Sequence, residues 1–271
     1  MIPVYIRYVS REIYAAVALV LLAPDGQVLG VQTAVIGEWG ADVHELVITP
    51  DDQSLVLADH GTADDKIVVD LTRFAADMSL VSQIELPFLA VLGQWAPPTL
   101  ALAPDGNLLY VAATDGDTVS SQSDPMAKPF VHLVSAVDVN PASATYGKVA
   151  ASADLTRQAS AKGSPFVNPA GIASSRDTVW LTAESSNQLV ILDRATLAER
   201  ARTQVGAGPR QIVVLDDQGT VAVHCHRSLQ TWIVGADGKV LQTVDLAADP
   251  RPAAVAVGEE VFSRPGGAYA S

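Results

Sequence analysis

A chain of 271 residues that is 49% hydrophobic and only 17% charged has the length and apolar content for a large buried core, which excludes a mostly disordered chain. Its 30 Asp and Glu against 17 Lys and Arg leave a net charge of −13; a phosphate backbone demands a basic face, so nucleic acid is excluded as a partner. One cysteine supplies neither an internal disulfide nor a cysteine-rich zinc site.

In chain order, the first predicted elements are Val4–Ser10, VYIRYVS, and Ile13–Ala23, IYAAVALVLLA. The second run follows Arg7 and Arg11 as the apolar core of a signal peptide would. Glu12 abuts it, however, and Pro24 stands where cleavage is expected. It is also far shorter than the roughly 20 residues that span a bilayer. No signal peptide is recognisable and no membrane insertion is expected. Leu19–Gly37, LVLLAPDGQVLGVQTAVIG, instead reads as strand, Asp-Gly turn, strand, which places Ile13–Ala23 in a β-strand.

From His44 onward one pattern recurs: an apolar strand, a tight turn, a second strand ending in small or polar residues, then a third apolar strand. It begins at His44 (HELVITPDDQSLVLADHGTADDKIVVDL), at Pro98 (PTLALAPDGNLLYVAATDGDTV), at Pro169 (PAGIASSRDTVWLTAESSNQLVILD) and at Pro209 (PRQIVVLDDQGTVAVHCHRSLQTWIVG). Asp-Gly and Pro-Asp tolerate the dihedrals of tight hairpins, and Val, Ile, Leu, Tyr and Trp suit strands packed between sheets. A fourth strand follows each third one, as in Trp232–Leu246, WIVGADGKVLQTVDL. Val4–Ser10 resembles a second strand with no first strand before it. Pro250–Gly258, PRPAAVAVG, lines up with Pro209–Asp217 and would supply that strand, closing a ring and removing exposed sheet edges; the alternative is a fragment of a larger ring that starts mid-blade. The predicted fold is all-β: a β-propeller of four-stranded antiparallel blades, about five recognisable. Residues 1–258 form one propeller domain, and 259–271 read as a truncated linker tail toward a missing domain.

The chemistry-bearing residues gather at the ends of second strands. In Ala222-Val223-His224-Cys225-His226 an alanine stands where a haem-attachment motif needs cysteine. In a strand, His224 and His226 point to one side and Cys225 to the other, so the two histidines could share a metal while Cys225 packs as a small hydrophobe. Aligning LVLADHG with VAVHCHR puts His60 at the place of His226 and makes it the third candidate ligand. Asp59, Glu184 and Thr114 occupy neighbouring or equivalent positions. Arg210 and Arg251 both precede innermost strands, where they would aim cations at the channel entrance and clamp an anionic small molecule. The competing reading makes all of these water-satisfied loop-edge residues. His44 is a weak further ligand candidate at the channel mouth. His132, in FVHLVSAVDV, alternates with apolar residues as a hydrogen-bonded core histidine does. The carboxylates of Asp59–Asp65 lack calcium-loop spacing, and no nucleophile elbow, Walker loop or dinucleotide fingerprint is present.

The stretches from Pro98 and from Leu189 (LVILDRATLAERARTQVGAGPRQIVV) resemble the YVTN-type repeats of bacterial β-propellers. The resemblance covers most of residues 41–257 and is strongest over 164–250. The C-terminal stretch from Asp249, DPRPAAVAVGEEVFSRPGGAYAS, is similar to the junction where such propellers run into a cytochrome-c-peroxidase-like dihaem domain, with Gly258, Val261 and Phe262 matching a G-x-x-hydrophobic-F helix start. No C-x-x-C-H motif follows, so the haem-bearing part of that family is absent and no cofactor is assigned. The resemblance implies a non-catalytic binding or scaffold module, periplasmic or extracellular, whose partner is a c-type cytochrome or another basic protein. Some propellers with similar repeats hydrolyse sugar lactones through histidine, arginine and glutamate, which here would be His60, His226, Arg210, Arg251 and Glu184. A metal-binding propeller built on His224, His226 and His60 is the third reading.

Overall fold

The structure, a computed structural model, describes residues 2–5, 15–22, 27–37, 45–50, 54–63, 66–75, 77, 79–90, 99–115, 131–156 and 168–263. The chain divides into two compact units, Met1–Gln94 and Trp95–Ser271. The first holds a three-stranded sheet of β1 (Ile2–Tyr5), β2 (Ala15–Leu22) and β3 (Val28–Gly37). It also holds a four-stranded sheet of β4 (Glu45–Ile48), β5 (Ser54–Ala63), β6 (Lys66–Ala75) and β7 (Leu80–Ala90). Ala15–Leu22 of the apolar run is thus strand β2, paired antiparallel with both neighbours.

The second unit stacks three four-stranded sheets, each a meander of consecutive antiparallel strands. They are β8 (Thr99–Leu102), β9 (Leu108–Asp115), β10 (Val131–Asp138) and β11 (Val149–Asp154); β12 (Pro169–Ser174), β13 (Thr178–Ala183), β14 (Gln188–Asp193) and β15 (Glu199–Gln204); and β16 (Pro209–Val214), β17 (Val221–Cys225), β18 (Gln230–Val234) and β19 (Val240–Asp245). The fold is all-β, a β-propeller of four-stranded antiparallel blades. Asp105-Gly106 and Asp237-Gly238 sit in the β8–β9 and β18–β19 turns as the sequence predicts, while Asp25-Gly26 lies outside the described residues; Gly238, at φ 82°, adopts a region of backbone space that favours glycine.

Burial explains the strand composition. Every residue of the middle sheet's β13 is buried, because both of its faces are covered. Leu181 and Val190 join Tyr110 and Val134 in one apolar cluster, while Trp180 and Ile191 join Val221, Val223 and Cys225 in another. The innermost strands β12 and β16 approach so closely that a Cβ on Gly171 would overlap the backbone carbonyl oxygen of Arg210. Thr182, fully buried, places its Oγ1 3.2 Å from the Gly171 carbonyl oxygen and 3.3 Å from that of Arg210. A backbone carbonyl cannot rotate out of the way as a side chain does. Gly171→Ala is therefore expected to destabilise the second unit by about 1–3 kcal/mol, read as a lower urea midpoint.

Two expectations are corrected. Residues Ala253–Ser263 form a helix, α1, and not the closing first strand expected over Pro250–Gly258. The boundary drawn after Gly258 consequently falls inside α1. His60 does not end its strand either: β5 runs on to Ala63, with His60 opposite Val69 and the ladder closing at the Ala63–Lys66 pair.

Candidate functional site

Glu184 and His226 each follow directly on a second strand, β13 and β17, and the pairs Pro169–Ala183 and Pro209–Cys225 put them at corresponding ends of neighbouring sheets. Arg210 is the second residue of β16, at the same end. The three side chains converge. Glu184 Oε1 accepts a hydrogen bond from Arg210 Nε at 3.1 Å and lies 2.8 Å from His226 Nε2; Glu184 Oε2 accepts from Asn168 Nδ2 at 3.2 Å. Side-chain exposure rises outward from 12% at Glu184 through 31% at His226 to 55% at Arg210. The carboxylate is thus the buried anchor and the guanidinium the solvent-facing part.

A second layer fixes this arrangement from beneath. Arg227 Nη2 donates to the Glu184 carbonyl at 2.8 Å and to Asn187 Oδ1 at 3.0 Å, and Asn187 Oδ1 also accepts from the Gly208 amide at 2.9 Å. Gly208, at φ 68°, has no room for a side chain: a Cβ there would stand 2.8 Å from both Arg227 Nε and His226 Nε2. Asn168 and Asn187 take left-handed backbone angles, φ 63° and 56°, which asparagine tolerates better than most residues. Burial, and then the charge of Arg210, hold the His226 imidazole below its ordinary pKa, against the pull of Glu184. Near neutral pH the ring is uncharged, and its Nε2 carries the hydrogen that faces the carboxylate.

The other predicted residues separate from this cluster. Arg251 does not join Arg210: it lies two residues before α1, donating to Asp249 through Nε at 2.8 Å and Nη2 at 2.7 Å, and to Glu259 through Nη1. Together with Arg227, Ala207, Ala256 and Val257 these three residues line a cavity of about 140 Å³ beside the helix. His224 sits within β17, opposite Gln211 and Thr231. Cys225 is fully buried in the apolar cluster, and burial pushes its thiol up to about 12. Thr114 is buried within β9, its Oγ1 2.9 Å from Nδ1 of His132, which is itself buried. Asp59 and His60 lie on β5 with their side chains outside the described residues, and His44 is outside them altogether. Among the described residues no group of three or more His, Cys, Asp and Glu side chains is placed to hold a metal ion.

Asn168, Asn187, Arg227 and Gly208 were not singled out by the sequence. The available signal was weak: Asn168 stands immediately before the unit-opening Pro169, and Arg227 directly follows His226.

No protein-family model matches the sequence, and no curated protein matches it. Solved structures do. The chain is similar to hydrazine synthase of Kuenenia stuttgartiensis with a TM-score of 0.63, at 14% identity, over 83% of this chain and 68% of that one. It is similar to a candidate 6-phosphogluconolactonase of Bacteroides fragilis with a TM-score of 0.57, at 15% identity, over 87% of this chain and 65% of that one. A third likeness is to the dihydro-heme d1 dehydrogenase NirN, with a TM-score of 0.50, at 14% identity, over 86% of this chain and 42% of that one. At such identities the likeness carries the fold alone.

Proposed function

We propose that this chain is a non-catalytic β-propeller module that binds and positions other proteins, with a basic c-type cytochrome as the partner class and a periplasmic or extracellular location. The observation that carries this reading is the state of Glu184. Its two carboxylate oxygens are engaged by Arg210, His226 and Asn168, so it ties two sheets together and is not left free as a general base. The net charge of −13 supports an electropositive partner, steered by long-range attraction more than by a large dry interface. Gly258, Val261 and Phe262 lie in the second half of helix α1, which begins at Ala253 and not at the Gly258 start implied by the resemblance to a propeller–dihaem junction, so the helix lends that junction no support. One structural neighbour is named for its action on dihydro-heme d1.

Surface plasmon resonance with the full chain immobilised and a basic c-type cytochrome in solution tests it. Saturable binding at about 20 mM salt that weakens at least tenfold by about 0.2 M is expected, because the Debye length shortens from about 20 Å to below 10 Å. Binding that is absent, or insensitive to salt, from a folded sample overturns the partner class. A lactonase-like hydrolase is the second reading, favoured by the convergence of Arg210, His226 and Glu184 and by the likeness to the Bacteroides fragilis protein. Hydrolysis of a sugar lactone above the buffer rate, lost in Glu184→Gln, would replace the scaffold with that enzyme.

A further inference from the structure

We propose that the Nη1–Nη2 edge of Arg210, beside His226, is a binding site for the carboxylate of a small organic acid. Arg210 meets the protein through one donor only, Nε on Glu184. Among the described residues neither Nη1 nor Nη2 has a partner, and the side chain is 55% exposed. The free edge is the planar fork that matches a carboxylate in bidentate fashion. Surface arginines are usually mobile, and ordering one for a ligand loses rotamer freedom. Here that ordering is done in advance, because Glu184, 12% exposed, is itself held by Asn168 and His226 on its side chain and by Arg227 on its carbonyl.

The local charge has the right sign. The groups facing His226 are Arg210, Arg227, Glu184 and His224. Around the His226 ring two guanidinium groups, Arg210 and Arg227, stand against the one carboxylate of Glu184, in a chain whose net charge is −13. His226 uses only Nε2 on Glu184, and among the described residues its Nδ1 has no partner. A bound carboxylate would counter the Arg210 charge that now disfavours the imidazolium, so binding is expected to take up a proton at His226 and to tighten as pH falls toward 6. This inference rests on neither reading of function: a scaffold and a hydrolase could each carry the site.

The test is an NMR titration of the full chain with sodium lactate as a single-carboxylate probe and inorganic phosphate as a second, following the Arg210 Nε–H resonance and the His226 ring. Saturable millimolar binding of lactate is expected, with an upward move of the His226 titration midpoint. The affinity should fall at least about tenfold in Arg210→Gln and also in Arg210→Lys, which keeps the charge but loses the fork. No saturable shift in the folded wild type, equal affinity in Arg210→Gln, or full retention in Arg210→Lys would overturn the proposal. Phosphate binding more tightly than lactate would overturn the carboxylate class. Cytochrome binding is scored separately, so failure of the scaffold reading leaves these outcomes intact.

Discussion

Trp180→Ala is expected to lower stability by about 3–5 kcal/mol, the usual cost of truncating a large buried aromatic residue. Trp180 has no exposed surface and packs in one cluster with Leu189, Ile191, Val221, Val223, Cys225 and Val234. Its ring also lies against Gly219, where a Cβ would stand 3.1 Å from Cη2. The site cannot collapse to fill the void, because the cluster joins two sheets whose inner strands already touch at Gly171. The indole Nε1 is buried without a hydrogen-bond partner among the described residues, and a buried unmet donor costs about 1–3 kcal/mol. Trp180→Phe removes that donor while keeping most of the apolar contact, so it should lose less than half as much as the alanine variant. Urea unfolding followed by circular dichroism reads both. Equal losses in the two variants, or a loss below about 1.5 kcal/mol in alanine, would mean that the sheets are not held by this residue.

The same cluster shows why the sheets were legible in the sequence and part of the site was not. Strands such as Thr178–Ala183 announce themselves by composition, since a face packed on a neighbouring sheet must be apolar. The meeting of Glu184 and His226 was half legible: both follow a second strand, and Pro169 and Pro209 mark the units, but the distance between them is set by how the sheets stack. Asn168 and Asn187 contribute through left-handed backbone angles, which leave no periodic signal. Pro250–Gly258 misled because it shares an opening Pro-Arg with Pro209–Asp217 and carries Val255 where that stretch has Val214. It also carries Ala253, Ala254 and Ala256, and alanine has the highest helix propensity; Arg251 joins Asp249 before the helix to Glu259 within it. Arg251 is thereby held beside α1 by Asp249 and Glu259, while Arg210 is the arginine that bonds Glu184.

Acid is expected to weaken the fold through His132, by about 3 kcal/mol between pH 6.5 and 4. His132 on β10 is 6% exposed; burial brings its imidazole to about 4, with Asp154 acting in the opposite direction. Its neutral ring faces Thr114 Oγ1 at 2.9 Å, and its amide donates to Thr156 Oγ1. The unfolded chain takes up a proton near 6.5 that the folded chain refuses until about 4. The stability is therefore complete above 6.5, falls as pH drops through that interval and levels off below it. Asp193 and Asp249, brought to about 2 by hydrogen bonds to Thr196 and Arg251, lose their contributions only below their ordinary 3.8. His226, also lowered, adds a further loss of the same sign. His132→Gln keeps a polar group toward Thr114 without a titrating one, so in a shared His226→Gln background its stability should stay level from 6.5 to 4 while the parent's declines. Parallel curves would show that His132 does not titrate as its burial implies. The two histidines also separate two effects of acid: protonation of His226 strengthens the hold on a carboxylate, while the His132 linkage weakens the β8–β11 sheet. Carboxylate affinity should consequently rise on moving from pH 8 to 6, and turn down nearer pH 4, where the ligand's own carboxylate takes up a proton and the fold weakens.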